Sequence, residues 1–378
     1  MTIKNVYVLA NGKKSDVNCD IVVENGIITA ITPSEENPAD AKYATAGYID
    51  IHTHGGHGHD YFECTQEAAD AVGSFHLKNG TTSYVATSVA TPIAELDEQF
   101  KVIRTLENKY ADMIGLHLEG PYISLDKKGA QPEQNIKTTY DAEDKWFFEN
   151  NKDVLKIITV CPATGNAAEM VRDAVSAGIK VQGGHDDSVY PEIIDCVNAG
   201  LDGATHVYCA MSGLRRKPGS LVKYMGMNET ALFDERIMTE IIADDMHIPE
   251  ALFEFVLKNK GYKSVSLVSD SLSAAGMPEG YYMLGTVTRI YNMGKVALLE
   301  NMKTLAGSVT PVSKMVQNVV SYGVPIAEAV YMGNQTPASY LGLTDRGVLE
   351  VGKRADIVIV DENGALLETY KQGVKVEL

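Results

Sequence analysis

The 378-residue sequence predicts an α/β fold, a (β/α)8 TIM-like barrel carrying a small β-sandwich domain built from both termini. Three observations lead there. Eight β-type apolar runs alternate with stretches of helical composition between residues 48 and 270, as parallel strands joined by crossover helices require. Both ends of the chain are β-rich instead, with turn signals at Asn11-Gly12, Asn25-Gly26 and Asn363-Gly364. Six of the eight central runs end in His, Glu or Asp, which suits a barrel whose loops converge on one mouth.

In order, the short β-type runs VYVLA, CDIVV and IITAI within residues 2–31 predict a small sheet. The barrel strands are expected at Tyr48 to His54, Thr82 to Thr87, Met113 to Glu119, Leu155 to Pro162, Ile179 to His185, Gly203 to Tyr208, Ile241 to His247 and Val265 to Asp270. Helices are expected at Gln66 to Lys78, Ile93 to Asn108, Ala167 to Ala177, Pro191 to Asn198 and Pro249 to Lys260. Gly80, Gly178, Gly200 and Gly261 follow such segments, where a left-handed residue ends a helix. After Asp270 come a hairpin-like insertion, YYMLGTVTRIYNMGKVALLE, the stretch Leu305 to Ser308 (LAGS), and two helical stretches up to about Tyr340. The closing GVLEVGKRADIVIVDENGALLETYKQGVKVEL is β again. Residues 1–46 with 342–378 are thus expected to form the small domain and 47–341 the barrel.

Bulk properties exclude several function classes. A content of 45% hydrophobic and 22% charged residues describes a globular protein with ample core. The net charge of -17 disfavours nucleic acid and anionic membrane surfaces, so an anionic small molecule needs a locally basic site. There is no run of eighteen apolar residues, and MTIKNVYVLANGKK reads as a strand with polar flanks, so a cytoplasmic protein is expected. The five cysteines are scattered without a CxxC pair, which argues for reduced thiols over disulfides or a thiolate zinc site.

Chemistry concentrates at the strand ends. In YIDIHTHGGHGHD, alternation places His52 and His54 on one face, about 7 Å apart along the strand, so both could grip one ion. Glu119, His185, His206, His247 and Asp270 end later runs. Taken singly, a strand-end His is often a hydrogen-bonded core residue and a strand-end Asp a helix cap; it is their convergence that points to function. Imidazoles and carboxylates without thiolate suit Zn, Fe, Mn or Co. Such an ion lowers the pKa of bound water towards ~7, and Asp270 opposite it would serve as general base and then acid.

These stretches resemble the amidohydrolase superfamily and, within it, the family of N-acetylglucosamine-6-phosphate deacetylases. The resemblance runs through GYIDIHTHG, HLEGPYIS with KKGAQP, GGHDDS, GATHVYCAM, RRKPG, IADDMH, LVSDS, LAGS and the closing GVLEVGKRADIVIVD. It implies Glu119, His185 and His206 as principal metal ligands, His52 and His54 as ligands of a second ion, and Asp270 as the catalytic aspartate. It also implies substrate contacts through the amides of Cys209 and Ala210, through His247, and through Arg216, which can reach a neighbouring subunit in a homodimer. Ala130 and Gln131 of KKGAQP would line the same site. The implied reaction converts N-acetyl-D-glucosamine 6-phosphate to D-glucosamine 6-phosphate and acetate, using one or two divalent metals per subunit, in amino-sugar catabolism and recycling. The residues themselves agree in placing Arg215, Arg216 and Lys217 as a cationic patch on an acidic protein.

Two positions depart from the family pattern: Cys209 stands where Asn is frequent, and Gln131 where some relatives carry a His that polarises the acetyl carbonyl. A neutral amide is the weaker electrophile, so the second ion is expected to supply that polarisation, with Gln131 donating one hydrogen bond. Deacetylation of another sugar phosphate, such as N-acetylgalactosamine 6-phosphate, is the nearest alternative. Binuclear cyclic-amide hydrolysis fits poorly, because LKIITVCPA carries Lys156 near its start and no lysine at its end. A catalytically silent relative would have lost ligands that this chain keeps.

Overall fold

Long runs of Val, Ile, Leu and small polar residues, unbroken by charge, pair best as parallel strands covered on both faces. The computed structural model describes residues 1–35, 41–217 and 219–377, so 36–40 of the expected small domain, Pro218 of the RKPG stretch and Leu378 lie outside the described residues. Its central sheet orders Val265–Leu267, Met238–Ile241, Gly203–Ala204, Lys180–Gly183, Leu155–Val160, Asp112–Glu119, Thr81–Ser88 and Tyr48–Thr53, all neighbours parallel. The Asp270 amide donates to His52 O at 2.9 Å, tying the last strand's end to the first. The eight-stranded barrel with outer helices is therefore as expected.

The helices follow local rules. Gln66–Lys78 starts where the Thr65 side chain accepts from the Ala68 amide, and it buries Ala68, Ala69, Val72 and Phe75. Gly80, Gly178, Gly200 and Gly261 all have positive φ. The segment expected as helix to Asn108 stops at Ile103, because the amide and hydroxyl of Thr105 both turn back onto Val102 O at 2.8 and 2.7 Å.

The fourth and fifth strands end two residues early, at Val160 and Gly183, the latter short of His185; three others differ more, and the differences shape the site. The seventh is Met238–Ile241, not Ile241 to His247. Beyond it Asp244 Oδ1 accepts from the amides of Met246 and His247 at 3.0 and 2.7 Å, so Ala243 to His247 is a turn. The sixth keeps only Gly203–Ala204, since His206, Tyr208 and Ala210 adopt left-handed backbone (φ 27°, 71° and 46°). The eighth ends at Leu267, short of Asp270.

Both chain ends meet in one further sheet, ordered Val374–Lys375, Leu366–Lys371, Ile357–Val360, Tyr43–Ala46, Thr2–Ala10, Cys19–Glu24 and Ile27–Pro33, with Lys13–Lys14 paired to Thr2–Ala10. Thr2 and Ile3 pair with Val22 and Ile21, whereas Tyr7 and Val8 pair with Tyr43 and Ala44. One strand thus passes between two halves that share a core of Val6, Ile21, Ile28, Ile357 and Ile359. Asn11-Gly12 and Asn25-Gly26 form turns with both residues at positive φ, as type I′ hairpins need. The insertion after Asp270 is an antiparallel sheet of Gly280–Leu284, Thr288–Asn292, Val296–Leu299 and Leu305–Ser308. Among the described residues no helix is long and apolar enough to cross a membrane.

Asp112, at the start of the third barrel strand, joins the barrel to the terminal sheet. Its carboxylate lies 2.6 Å from Lys371 Nζ, 2.8 Å from Arg354 Nη2 and 3.3 Å from Arg346 Nη1. Burial pushes the Asp112 carboxyl up, but Lys371 and Arg354 outweigh it and hold it below the ordinary value. A carboxyl with a depressed folded-state pKa stabilises fully above its unfolded value near ~3.9 and loses that contribution as pH falls through the folded value. Asp112→Asn should therefore cost roughly 1–3 kcal/mol at pH 7. In denaturant titrations the deficit should shrink below about pH 4; an unchanged midpoint at pH 7 would refute the role.

Candidate metal centre

The strand ends bring His52, His54, Glu119, His185, His206 and Asp270 to one point, all at most 7% exposed. Glu119 Oε1 lies 2.8 Å from His206 Nε2, 2.9 Å from His185 Nε2 and 3.5 Å from His52 Nε2, while its Oε2 lies 3.4 Å from His54 Nε2. Asp270 Oδ1 stands 3.3 Å from His54 Nε2 and 3.6 Å from His52 Nε2. Donor atoms of His52, Glu119 and His206 fall within 4.8 Å of one another, as do those of His52, His54 and Asp270. His185 stands beside the first group, on the same Glu119 oxygen.

Backbone strain marks the same residues. His185, His206 and Asp270 have φ of 45°, 27° and 46°, a region that non-glycine residues enter at a cost of about 1–3 kcal/mol and keep mainly at functional sites. Two glycines make room. A Cβ on Gly129 would come 3.3 Å from His185 Cε1, and one on Gly307 would come 3.0 Å from Asp270 O; both also have positive φ. Gly307 belongs to the LAGS strand, whose Ser308 amide donates to Asp270 O at 2.9 Å.

Three of the four histidines are oriented through their other ring nitrogen: His54 Nδ1 on Thr87 O at 3.0 Å, His185 Nδ1 on Lys127 O at 2.8 Å, and His52 Nδ1 on Glu240 Oε2 at 3.0 Å. Each leaves Nε2 facing the cluster, the arrangement by which proteins fix a metal-binding tautomer. His52 Nε2 is buried without a hydrogen-bond partner. A dry ring nitrogen beside two carboxylates fits a cation, and the donor set of imidazole and carboxylate suits a divalent one.

The electrostatics agree. Burial alone would push the histidines down, yet Glu119 and Glu240 hold His52 well above its ordinary value, and Asp270 and Glu119 raise His54 to about 9. Burial raises the Glu119 carboxyl, but His185 and His52 pull it well below the usual range. Without a cation, the raised His52 and His54 can carry protons that offset the buried carboxylates. A metal must displace them, so binding tightens as pH rises.

His54, Glu119, His185, His206 and Asp270 of the cluster line the floor of a cavity of about 510 Å³, a size that suits a small-molecule ligand. Its walls include Ala130, Gln131, Cys209, Ala210 and His247. Gln131 is already engaged: its Oε1 accepts from the Ala90 amide at 2.7 Å and its Nε2 donates to Glu119 Oε2, leaving one amide hydrogen for a ligand. The Cys209 amide donates to His206 O at 3.0 Å. His247 Nδ1 meets Asp244 Oδ2 at 2.7 Å; burial lowers this histidine, and Asp244 outweighs that and raises it.

The expected basic patch is placed differently. Arg216 is exposed, its Nε donating to Leu221 O at 3.0 Å, and Lys217 pairs with Glu192. Neither they nor Arg215 line the cavity: Arg215 Nη1 donates to Asp187 O, and the lysines that do line it are Lys127 and Lys303, beside Asp126. Lys127 opens the KKGAQP stretch but was not singled out there, and Lys303 lies in a loop with no motif. Glu240 was also missed: placing the seventh strand three residues late left it outside, although an acid inside the run IMTEII is its signal. His57, His59, His76 and His117 stay off the cavity wall. His59 pairs with Glu63, His76 Nε2 meets Thr53 Oγ1 at 3.0 Å, and His117 Nε2 meets Thr159 Oγ1 at 2.7 Å.

Residues 43–376 match the amidohydrolase family. The chain is similar to the N-acetylglucosamine-6-phosphate deacetylase of Lysinibacillus sphaericus, 29% identical over 99% of this chain and 97% of that one. It is 30% identical to the N-acetylgalactosamine-6-phosphate deacetylase of Escherichia coli O157:H7, over 93% of each chain. The crystal structure of the N-acetylglucosamine-6-phosphate deacetylase of Pasteurella multocida superposes with a TM-score of 0.89, at 29% identity and 99% coverage of both chains.

Two measurements check this site. Adding a divalent metal to chelator-treated protein at 100 times its Kd should raise stability by about 2.7 kcal/mol, and Glu119→Ala should abolish the rise; an unchanged melting curve on metal addition would refute a metal centre. A histidine raised above its unfolded value stabilises fully below ~6.5 and loses that contribution as pH rises through the folded value. Asp244→Asn should lower the His247 midpoint in an NMR titration of metal-free protein, and an unmoved midpoint would refute the pairing.

Proposed function

The chain belongs to the amidohydrolase family, and we propose that it deacetylates N-acetyl-D-glucosamine 6-phosphate, releasing D-glucosamine 6-phosphate and acetate in amino-sugar catabolism and recycling. The observation that carries this is the convergence of four histidines on Glu119 and Asp270, three of them lining a cavity large enough for a small molecule, in a chain whose relatives of that activity match it end to end. N-acetylgalactosamine 6-phosphate is the second reading, favoured by the equally full-length relative of that name.

Glu119, His185 and His206 would hold one divalent ion, and His52 and His54, with Asp270 beside them, a second; zinc, iron, manganese and cobalt all suit these donors. Such an ion, when bound, supplies a Lewis acid for the acetyl oxygen and a low pKa for attacking water. Asp270 takes the proton of that water and returns it to the departing amine, which its place beside His54 Nε2 supports. Gln131 keeps one amide hydrogen for the developing oxyanion. His247, held by Asp244, faces the sugar phosphate, as do the backbone of Cys209 and Ala210 and the lysines at the rim.

We assign the protein to the cytoplasm, which its five free cysteines support. A homodimer is part of the same reading. Arg216 is exposed among Leu214, Leu221 and Val222, which are 58%, 92% and 55% exposed; covering this apolar loop with a second copy would carry Arg216 towards the partner's cavity. Residues 1–46 with 342–378 would then serve as the supporting domain and 47–341 as the catalytic one.

Acetate release should be seen with the 6-phosphates of N-acetylated hexosamines in metal-loaded protein and be far weaker with the unphosphorylated sugars. Comparing the two epimers selects between the readings, and no release from either would refute both. Asp270→Asn should lower turnover at least ~10²-fold; near-normal activity in that variant would remove Asp270 from the reaction.

A further inference from the structure

The layer of the barrel directly beneath the metal centre is polar, where branched apolar side chains ordinarily fill such interiors. His52, His117, Thr159, Gln182, Thr205 and Glu240, from six different strands or their ends, are each fully buried there. They form one connected chain: His117 Nε2 to Thr159 Oγ1 at 2.7 Å, Thr159 Oγ1 to Thr205 Oγ1 at 2.7 Å, Thr205 Oγ1 to Gln182 Oε1 at 2.9 Å, Gln182 Nε2 to Glu240 Oε1 at 2.8 Å, and Glu240 Oε2 to His52 Nδ1 at 3.0 Å. The His117 ring then packs edge-on against His52, centroids 4.7 Å apart.

Glu240 is the one carboxylate in this chain. Its two oxygens accept from Gln182 Nε2, from the His206 amide at 3.3 Å and from His52 Nδ1. Donor atoms of His52, His117 and Glu240 also lie within 4.8 Å of one another, the spacing of an ion site. The three N–H donors already on Glu240 argue instead that it orients its neighbours.

We propose that Glu240 is a positioning residue for the second ion: by bonding His52 Nδ1 it fixes the ring so that Nε2 is aimed at Glu119 and Asp270. Charge counting points the same way. Glu119 and Asp270 alone neutralise one divalent ion and leave two in excess by two charges; with Glu240 the excess falls to one. Glu240 therefore shifts the balance towards the second ion, while its one bond to a ligand of the first is to the His206 amide and not to the ring. The inference rests on the reading of His52 as an ion ligand.

Glu240→Gln keeps the shape but offers one acceptor and an amino group to the same donors, so an N–H faces either Gln182 or His52 Nδ1. Zn²⁺ titration with elemental analysis should then show the first ion retained and the weaker ion bound ~10–100-fold less tightly. In a His52→Ala background, Glu240→Gln should add nothing further. In wild-type protein labelled with ¹⁵N-histidine and loaded with Zn²⁺, His52 should carry its proton on Nδ1, a measurement that needs no variant to fold. A proton on Nε2, or unaltered Zn²⁺ affinity in Glu240→Gln, would overturn the proposal. Should His52→Ala itself leave Zn²⁺ content unchanged, the reading of His52 as a ligand fails. Should His52→Ala lose the ion while Glu240→Gln keeps it, only the positioning role fails.

Discussion

The carboxylate of Glu119 is the contact on which the rest of the site depends. A single buried anion at the end of the third strand is approached by the Nε2 atoms of His185, His206, His52 and His54, and by the Gln131 amide. An isolated buried carboxylate costs far more than a typical domain's margin of stability, so it must be met by positive charge from several directions. Only a closed ring of parallel strands offers so many strand ends facing one point. The barrel is thus both the scaffold for this cluster and the reason that its charges can be satisfied.

What surrounds Glu119 is arranged to face upward. Side chains and backbone carbonyls outside the cluster take up the second nitrogen of His52, His54 and His185, so the imidazoles present one consistent nitrogen to the cavity. Asp50, one layer below His52 on the same strand face, is fully buried, and burial pushes its carboxyl up to about 7, with Ser269 and the His52 amide bonded to it pulling the other way. Layers of polar residues thus continue down the barrel; among them Glu240 accepts from the His206 amide, while the strained backbone at Asp270 is held by His52 O and the Ser308 amide and that at His185 by the Ser124 amide.

The elements outside the barrel have separable roles. The terminal sheet is tied to the N-terminal side of the barrel through Asp112 and its three cationic neighbours, away from the cavity. The insertion after Asp270 instead supplies cavity wall: Leu284 and the stretch from Lys303 to Gly307 line it, and Ser308 is stitched to Asp270. One face of the molecule is devoted to stability and the other to the ligand, the division expected of this barrel class.

The barrel, the two β-rich ends and the gathered residues His52, His54, Glu119, His185, His206 and Asp270 were legible in the sequence, because strand periodicity and strand-end chemistry are local properties of a chain. So were the Asn-Gly hairpins and the glycines that end helices, whose backbone demands are equally local. Glu240 and the lysines at the rim were not. Glu240 reaches the site through a hydrogen bond to a residue 188 positions earlier, and Lys127 and Lys303 line one cavity only because two distant loops share one mouth. Arg216 illustrates the converse, since its motif was plain but its side chain bonds Leu221 O and does not line the chain's own cavity. Sequence alone determined which groups this protein has for chemistry; tertiary structure decided which of them face each other, because that depends on closing the ring of strands.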